Sequence, residues 1–151
     1  MSASATEAEL FAKALRVLAL REHSRLELAK KLASLTEDSS LIEQVLDKLA
    51  ESDYLNDQRY TGMLVRSSLS KGYGPLKLSH LFREKGVDAE LAKTALDEAE
   101  IDWQALAAHQ RRKKFGDALP TDWPERARQS RFLAGRGFYL ETINAVFHEK
   151  C

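Results

Sequence analysis

The chain has 151 residues, of which 44% are apolar and 30% charged, a balance that fits a folded domain or a short array of small units and excludes a disordered chain. Its only cysteine, Cys151, excludes an intramolecular disulfide and any Cys-based metal site, which suits a reducing compartment. The formal net charge is zero, which argues against a protein that simply coats DNA.

Met1 to Glu9 is small and acidic, without the basic start and apolar run of a secretory signal. The first helix follows: Leu10, Phe11, Ala14, Leu15, Val17, Leu18 and Leu20 recur at helical spacing, and Thr6 with Glu9 reads as a capping box. Ser24 with Glu27 opens a second helix carrying Leu26, Leu28, Ala29 and Leu32. Ser39 or Ser40 starts a third, with Leu41, Ile42, Val45, Leu46 and Leu49. Asn56 or Asp57 caps a fourth through Tyr60, Met63, Leu64 and Leu69, which stops at Lys71-Gly72-Tyr73-Gly74-Pro75. Pro75 suits a first helical turn, and Leu76, Leu78, Leu81 and Phe82 give the fifth helix an apolar face that Gly86 ends. Asp88 caps a sixth with Ala92, Ala95, Leu96 and Ala99. Asp102 caps a seventh through Leu106, Lys113 and Phe115; a loop from Gly116 to Asp122 leads to an eighth opened by Pro124, and Tyr139 to Phe147 forms the ninth.

These nine segments fall into one repeated frame. Leu26, Leu28 and Leu32 lie fifty residues before Leu76, Leu78 and Phe82, and Lys85-Gly86-Val87 lies fifty-one before Arg136-Gly137-Phe138. Val and Ile are scarce and no strict alternation is long enough for a strand. The expectation is an all-α protein of three tandem three-helix repeats, spanning 1–53, 54–101 and 102–151, stacked as an elongated, curved, right-angled array; a compact bundle is the alternative packing. No segment approaches the ~20 apolar residues of a membrane span, so the expected location is the cytoplasm.

Residues for chemistry are sparse. His23, His80, His109 and His148 are isolated and read as structural or surface groups, and Gly72-Tyr73-Gly74-Pro75 lacks the ending of a phosphate-binding loop and reads as a helix connector. Asp53 and Asp57 read as helix caps. Neither a cofactor, a metal nor a catalytic group is expected. Charge is more informative. Asp102 to Cys151 holds nine Lys/Arg against six Asp/Glu, and Arg66 to Lys85 holds Arg66, Lys71, Lys77, Arg83 and Lys85 against Glu84 alone. Arg111, Arg112, Lys113 and Lys114 wrap most of a helical turn, and Arg128, Arg131 and Arg136 follow in the next helix. Such a set attracts phosphate or an acidic protein surface; a solvated face with snorkelling side chains is the bland alternative. Most of Phe115, Trp123, Phe132, Phe138 and Tyr139 read as core, Trp103 is ambiguous, and Tyr54, Arg59 and Tyr60 read as packing between repeats.

Tyr54-Leu55-Asn56-Asp57-Gln58-Arg59-Tyr60, then Lys71-Gly72-Tyr73-Gly74-Pro75-Leu76-Lys77-Leu78, then Leu81-Phe82-Arg83-Glu84-Lys85-Gly86-Val87 resembles the central signature of the RecX family. Ala14 to Leu32 and Arg131-Phe132-Leu133 with Arg136-Gly137-Phe138 extend the likeness over nearly the whole chain. It departs at Asn56, where the family often has an acid, and at Arg126, which stands in the last repeat where Pro75 stands in the middle one. The resemblance implies a non-catalytic regulator that binds the RecA recombinase and its filament on single-stranded DNA. It implies restraint of filament extension, ATPase activity and strand exchange, and through them of recombination, DNA repair and the SOS response. It leaves direct but weak DNA binding as a secondary mode, with no membrane or small-molecule partner. On this reading the concave side of the array would bridge adjacent RecA protomers. Lys71, Lys77, Arg83, Lys85, Arg111, Arg112, Lys113, Lys114, Arg128, Arg131 and Arg136 are the candidate contacts to RecA or DNA. A general nucleic-acid-binding helical protein and a scaffold for some other protein are the competing classes.

Overall fold

A computed structural model describes residues 5–148, and Cys151 lies outside them. Within that range every regular element is an α-helix, in the order α1 (Glu7–Leu20), α2 (Arg25–Leu32), α3 (Ser39–Glu51), α4 (Asp57–Ser70), α5 (Pro75–Glu84), α6 (Ala89–Ala99), α7 (Trp103–Phe115), α8 (Trp123–Gly135) and α9 (Leu140–Phe147). The nine elements follow the three-helix repeat frame expected from the sequence. Among the described residues no helix is long and apolar enough to cross a membrane.

Helix ends follow local side-chain chemistry. Thr6 with Glu9 and Ser24 with Glu27 form complete capping boxes at α1 and α2. At α3 the cap is Asp38 instead of Ser39 or Ser40, its carboxylate accepting from the Leu41 amide at 3.1 Å. Asp102 and Asp122 cap α7 and α8 in the same way. The turns after α4, α5 and α8 need a left-handed residue, and glycine supplies it at Gly72, Gly86 and Gly137 with φ of 79°, 72° and 94°.

By contact the chain divides into two compact units that cut across the middle repeat. Unit 1 is Met1–Met63 with Phe82–Ala95, and unit 2 is Leu64–Leu81 with Leu96–Cys151. The core of unit 1 is built from Leu10, Ala14, Leu28, Leu32, Val45, Leu46, Leu49 and Leu55, brought together where α1, α2 and α3 pack on one another. That of unit 2 gathers Ala107, Ala108, Leu133, Phe138, Ile143, Val146 and Phe147 from α7, α8, α9 and the turn between the last two. The repeat frame shows in burial: Leu28 and Leu32 in one copy and Leu78 and Phe82 in the next are all buried. In the third copy the Leu78 position is Gln129, which is also buried but polar.

Candidate functional site

The segment Leu55 to Tyr60 forms a joint within unit 1. Asn56 caps α4, accepting from the Arg59 amide at 3.0 Å. Asp57 points instead to α2, where its carboxylate accepts from the Arg25 amide at 2.8 Å and satisfies one of the N–H groups a helix start leaves unpaired. Arg59 pairs with Glu22 at 2.6 Å and Asp53 at 2.9 Å. Tyr60 is buried and donates to Glu27, which also receives Arg21 at 3.1 Å, the Ser24 amide at 3.1 Å and the Lys85 ammonium at 3.6 Å. Burial pushes the Glu27 carboxyl up, but hydrogen bonds from Arg21, Ser24 and Tyr60 together with the Arg21 charge outweigh it and hold the group at about 2. Burial, followed by the Glu27 charge, raises the Tyr60 phenol, so it stays a donor. Arg59 and Tyr60 thus tie the first repeat to the second, while the Tyr54 ring is 52% exposed and lies outside the joint.

Two joints of the chain bring repeat-equivalent residues together, the second with backbone hydrogen bonds that the first does not make. In unit 1 the turn at Gly86 lies on α2, so close that a Cβ on Gly86 would sit 2.8 Å from Leu26. In unit 2 the turn at Gly137 lies on the start of α5: the Gly74 amide donates to the Arg136 carbonyl at 2.7 Å and the Leu76 amide to the Gly137 carbonyl at 2.9 Å. Leu26 and Leu76 are repeat equivalents, as are Gly86 and Gly137.

Around the second joint the structure gathers several candidate cations. The Lys71 and Lys77 ammonium groups lie 5.9 Å and 4.2 Å from the centre of the Tyr73 ring. Arg136 donates to the Lys71 carbonyl at 3.1 Å and stacks on Phe132 at 5.2 Å, and Lys114 lies over the same ring at 5.5 Å. Phe132 meets Phe115 edge-on at 5.4 Å, and Arg128 stacks on Phe115 at 5.0 Å. Lys71, Lys77, Lys114, Arg128 and Arg136 therefore share one chain of ring and hydrogen-bond contacts. Arg112 and Lys113 on α7 and Arg131 on α8 are exposed, and Arg128 is already paired with Glu125 at 2.8 Å.

Arg111 does not join this surface. It is 3% exposed, and its guanidinium donates to the carbonyls of Asp117 at 3.0 Å and Ala118 at 3.3 Å and to Gln129 at 3.3 Å. It holds the loop after α7 against the core, because one residue of a helical turn must face inward and Gln129 supplies a polar partner there. Arg83 and Lys85 belong to unit 1. Lys85 lines a concave patch of about 270 Å³ with Arg21, Lys30, Lys31, Glu27 and Glu84, in which carboxylates offset part of the charge. Sequence reasoning passed over Tyr73, whose signal was a ring between two lysines in a connector read only for its glycines. Trp123, assigned to the core with the other aromatics, is 73% exposed with Arg126 over its ring at 5.9 Å, and Tyr139 is 50% exposed. Phe138 is core as expected.

Comparison with known proteins accounts for the repeat frame. Three family models match in order: the first three-helix domain of RecX over residues 11–49, the second over 56–96 and the third over 100–147. The regulatory protein RecX of Serratia proteamaculans is 36% identical, covering 93% of this chain and 97% of its own. The same-named protein of Halorhodospira halophila is 40% identical over 88% of this chain and 83% of its own. In structure, the chain is similar to RecX from Lactobacillus salivarius, with a TM-score of 0.74, 22% identity and 94% of each chain covered. The signature residues quoted above build the joint of unit 1 and the turn that carries Lys71, Tyr73 and Lys77, and with matches in order along the three repeats they make this chain a member of the RecX family of regulatory proteins.

Proposed function

We propose that the chain regulates the RecA recombinase, binding RecA and its filament on single-stranded DNA and restraining filament extension, ATP hydrolysis and strand exchange. The observation that carries this reading is family membership over nearly the full length, and relatives named as regulatory proteins support a role without catalysis. The exposed cations supply a means. Lys71, Arg112, Lys113, Lys114 and Arg131 in unit 2 and Arg83 in unit 1, joined by the half-buried Lys77 and Arg136, offer charge for docking on an acidic or phosphate-bearing surface. Arg111 acts in this proposal only by positioning the loop that follows α7. RecA-dependent ATP hydrolysis on single-stranded DNA, with substoichiometric added protein, tests the reading. Hydrolysis should fall, and reversing Arg112, Lys113 and Lys114 to glutamate together should weaken the effect in a chain that circular dichroism shows to be still folded. Undiminished hydrolysis would refute it.

The stacked pairs Lys114–Phe132 and Arg128–Phe115 and the open Trp123 ring favour a second reading, direct binding of single-stranded nucleic acid. Such binding should persist without RecA and fall steeply as salt rises in a gel-shift titration.

A further inference from the structure

The two joints use repeat-equivalent residues and differ in charge where the first has Glu27 and the second Lys77. In unit 1 the acceptor helix α2 presents Glu27, and the cations Arg21 and Lys85 close on its carboxylate at 3.1 Å and 3.6 Å. Fifty residues on, Arg21 becomes Lys71 and Glu27 becomes Lys77; fifty-one on, Lys85 becomes Arg136. The second joint thus keeps both flanking cations and replaces the carboxylate between them by a third cation. Among the described residues no carboxylate pairs with Lys71, Lys77 or Arg136. The lysines instead share the Tyr73 ring, and Arg136 spends one donor on the Lys71 carbonyl and keeps the others. Like charges on one turn repel, and the arrangement gains when an anion enters.

The chain on either side of this joint also carries open apolar side chains. Leu76, next to Lys77, is 48% exposed, and Tyr139 and Leu140, which follow the Gly137 turn docked on Leu76, are 50% and 70% exposed. Large side chains grouped beside charge are the composition of a protein-docking surface, in which apolar area gives affinity and the ion pair fixes register.

We propose that the second joint is a docking site for an acidic side chain of a partner protein: a glutamate or aspartate that enters among Lys71, Lys77 and Arg136, in the place Glu27 fills at the first joint, with an adjoining apolar residue resting on Leu76, Tyr139 and Leu140. A carboxylate is favoured over phosphate because the chain itself shows the carboxylate version of this arrangement, with matching flanking cations. The apolar rim also suits a peptide better than a nucleic-acid backbone. The inference rests on the joint geometry and stands apart from whether RecA is the partner.

The test restores the carboxylate from within. Lys77→Glu would place the missing group between Lys71 and Arg136, occupying the site. The full chain is titrated with a fluorescent peptide of alternating glutamate and leucine, with a glutamine-leucine peptide and an oligothymidylate as comparison probes, and thermal midpoints are read in parallel. The wild type should bind the glutamate peptide at least about tenfold more tightly than the glutamine peptide, a gap of about 1.4 kcal/mol. Lys77→Glu should lose that preference at an unchanged or raised midpoint, since the new ion pairs replace repulsion. If Lys77→Glu lowers the midpoint, the Lys71→Gln/Lys77→Gln double variant replaces it, with the same loss expected. Equal binding of both peptides by the wild type, or undiminished preference in the variants, overturns the proposal. Oligothymidylate binding that exceeds glutamate-peptide binding and is lost in the same variants overturns it in favour of phosphate.

Discussion

Replacing Gly74 by alanine should cost about 2–6 kcal/mol of stability, although Gly74 has an ordinary φ and only one methyl group is added. The added Cβ would stand 2.5 Å from the carbonyl carbon and oxygen of Gly137 and 2.6 Å from the Phe138 amide nitrogen. These are backbone atoms, so no side-chain rotation relieves the overlap. Ordinary contact begins at 3.4 Å, so the two turns would have to part by nearly an ångström. That movement stretches the bonds from the Gly74 and Leu76 amides, now at 2.7 Å and 2.9 Å, to the limit of a hydrogen bond or beyond. Each contributes about 0.5–1.5 kcal/mol net, and leaving their amides unpaired adds a similar desolvation cost. Urea unfolding followed by far-ultraviolet circular dichroism measures the loss, with Gly135→Ala as the control. Gly135 lies in α8 with nothing within 4 Å of an added Cβ, so alanine there should stabilise by about 0.5–1 kcal/mol. A Gly74→Ala variant as stable as the wild type would refute the close approach of the two turns.

Glu27 should make the protein acid-sensitive. Its folded value of about 2 lies below the ordinary 4.5, so its contribution, on the order of 3 kcal/mol, is fully present above about 4.5 and is lost as pH falls toward 2. Urea midpoints measured across that range should fall more steeply for the wild type than for Glu27→Gln, and parallel curves would contradict the assignment. Asp57→Ala should cost about 1–2 kcal/mol, because the Arg25 amide loses its acceptor; Asp57→Asn, which keeps an oxygen, should recover most of it. Arg111→Ala should cost about 3 kcal/mol and leave the loop at 116–122 more open to proteolysis, whereas alanine at the exposed Arg112 should change stability by less than about 0.5 kcal/mol.

The helices were legible because each apolar stripe recurs at helical spacing and most starts carry a side-chain cap within three residues. The α3 cap is Asp38 where the sequence pointed to Ser39 or Ser40, because all three are competent acceptors and only geometry decides among them. The candidate surface was legible as charge but not as arrangement. Arg111 and its neighbours look alike in sequence; which one turns inward depends on the phase of α7 against α8, set by contacts from a helix that begins eight residues after α7 ends. The exposure of Trp123 was hidden for the same reason, since a ring at a helix start packs inward or outward according to its neighbours. The role of Asp57 was invisible for another: its partner, the Arg25 amide, lies thirty-two residues away and carries no side-chain signal.

The use of repeat-equivalent residues at the two joints has a consequence for contacts between copies of the chain. A glycine turn docked on the start of another helix is a head-to-tail contact, and contacts of that kind propagate between copies unless an end is closed. The fifty-residue frame places Thr36 where the second repeat has Gly86, and Thr36 takes no left-handed φ. The first repeat therefore has no glycine turn to offer the α8 start of another molecule. That start holds Arg126, Ala127 and Arg128 where the acceptor helix α5 holds Pro75, Leu76 and Lys77. Thr36 in the first repeat and Ala127 in the third thus set those two positions apart from Gly86 and Leu76, which take part in the glycine-turn contacts described above.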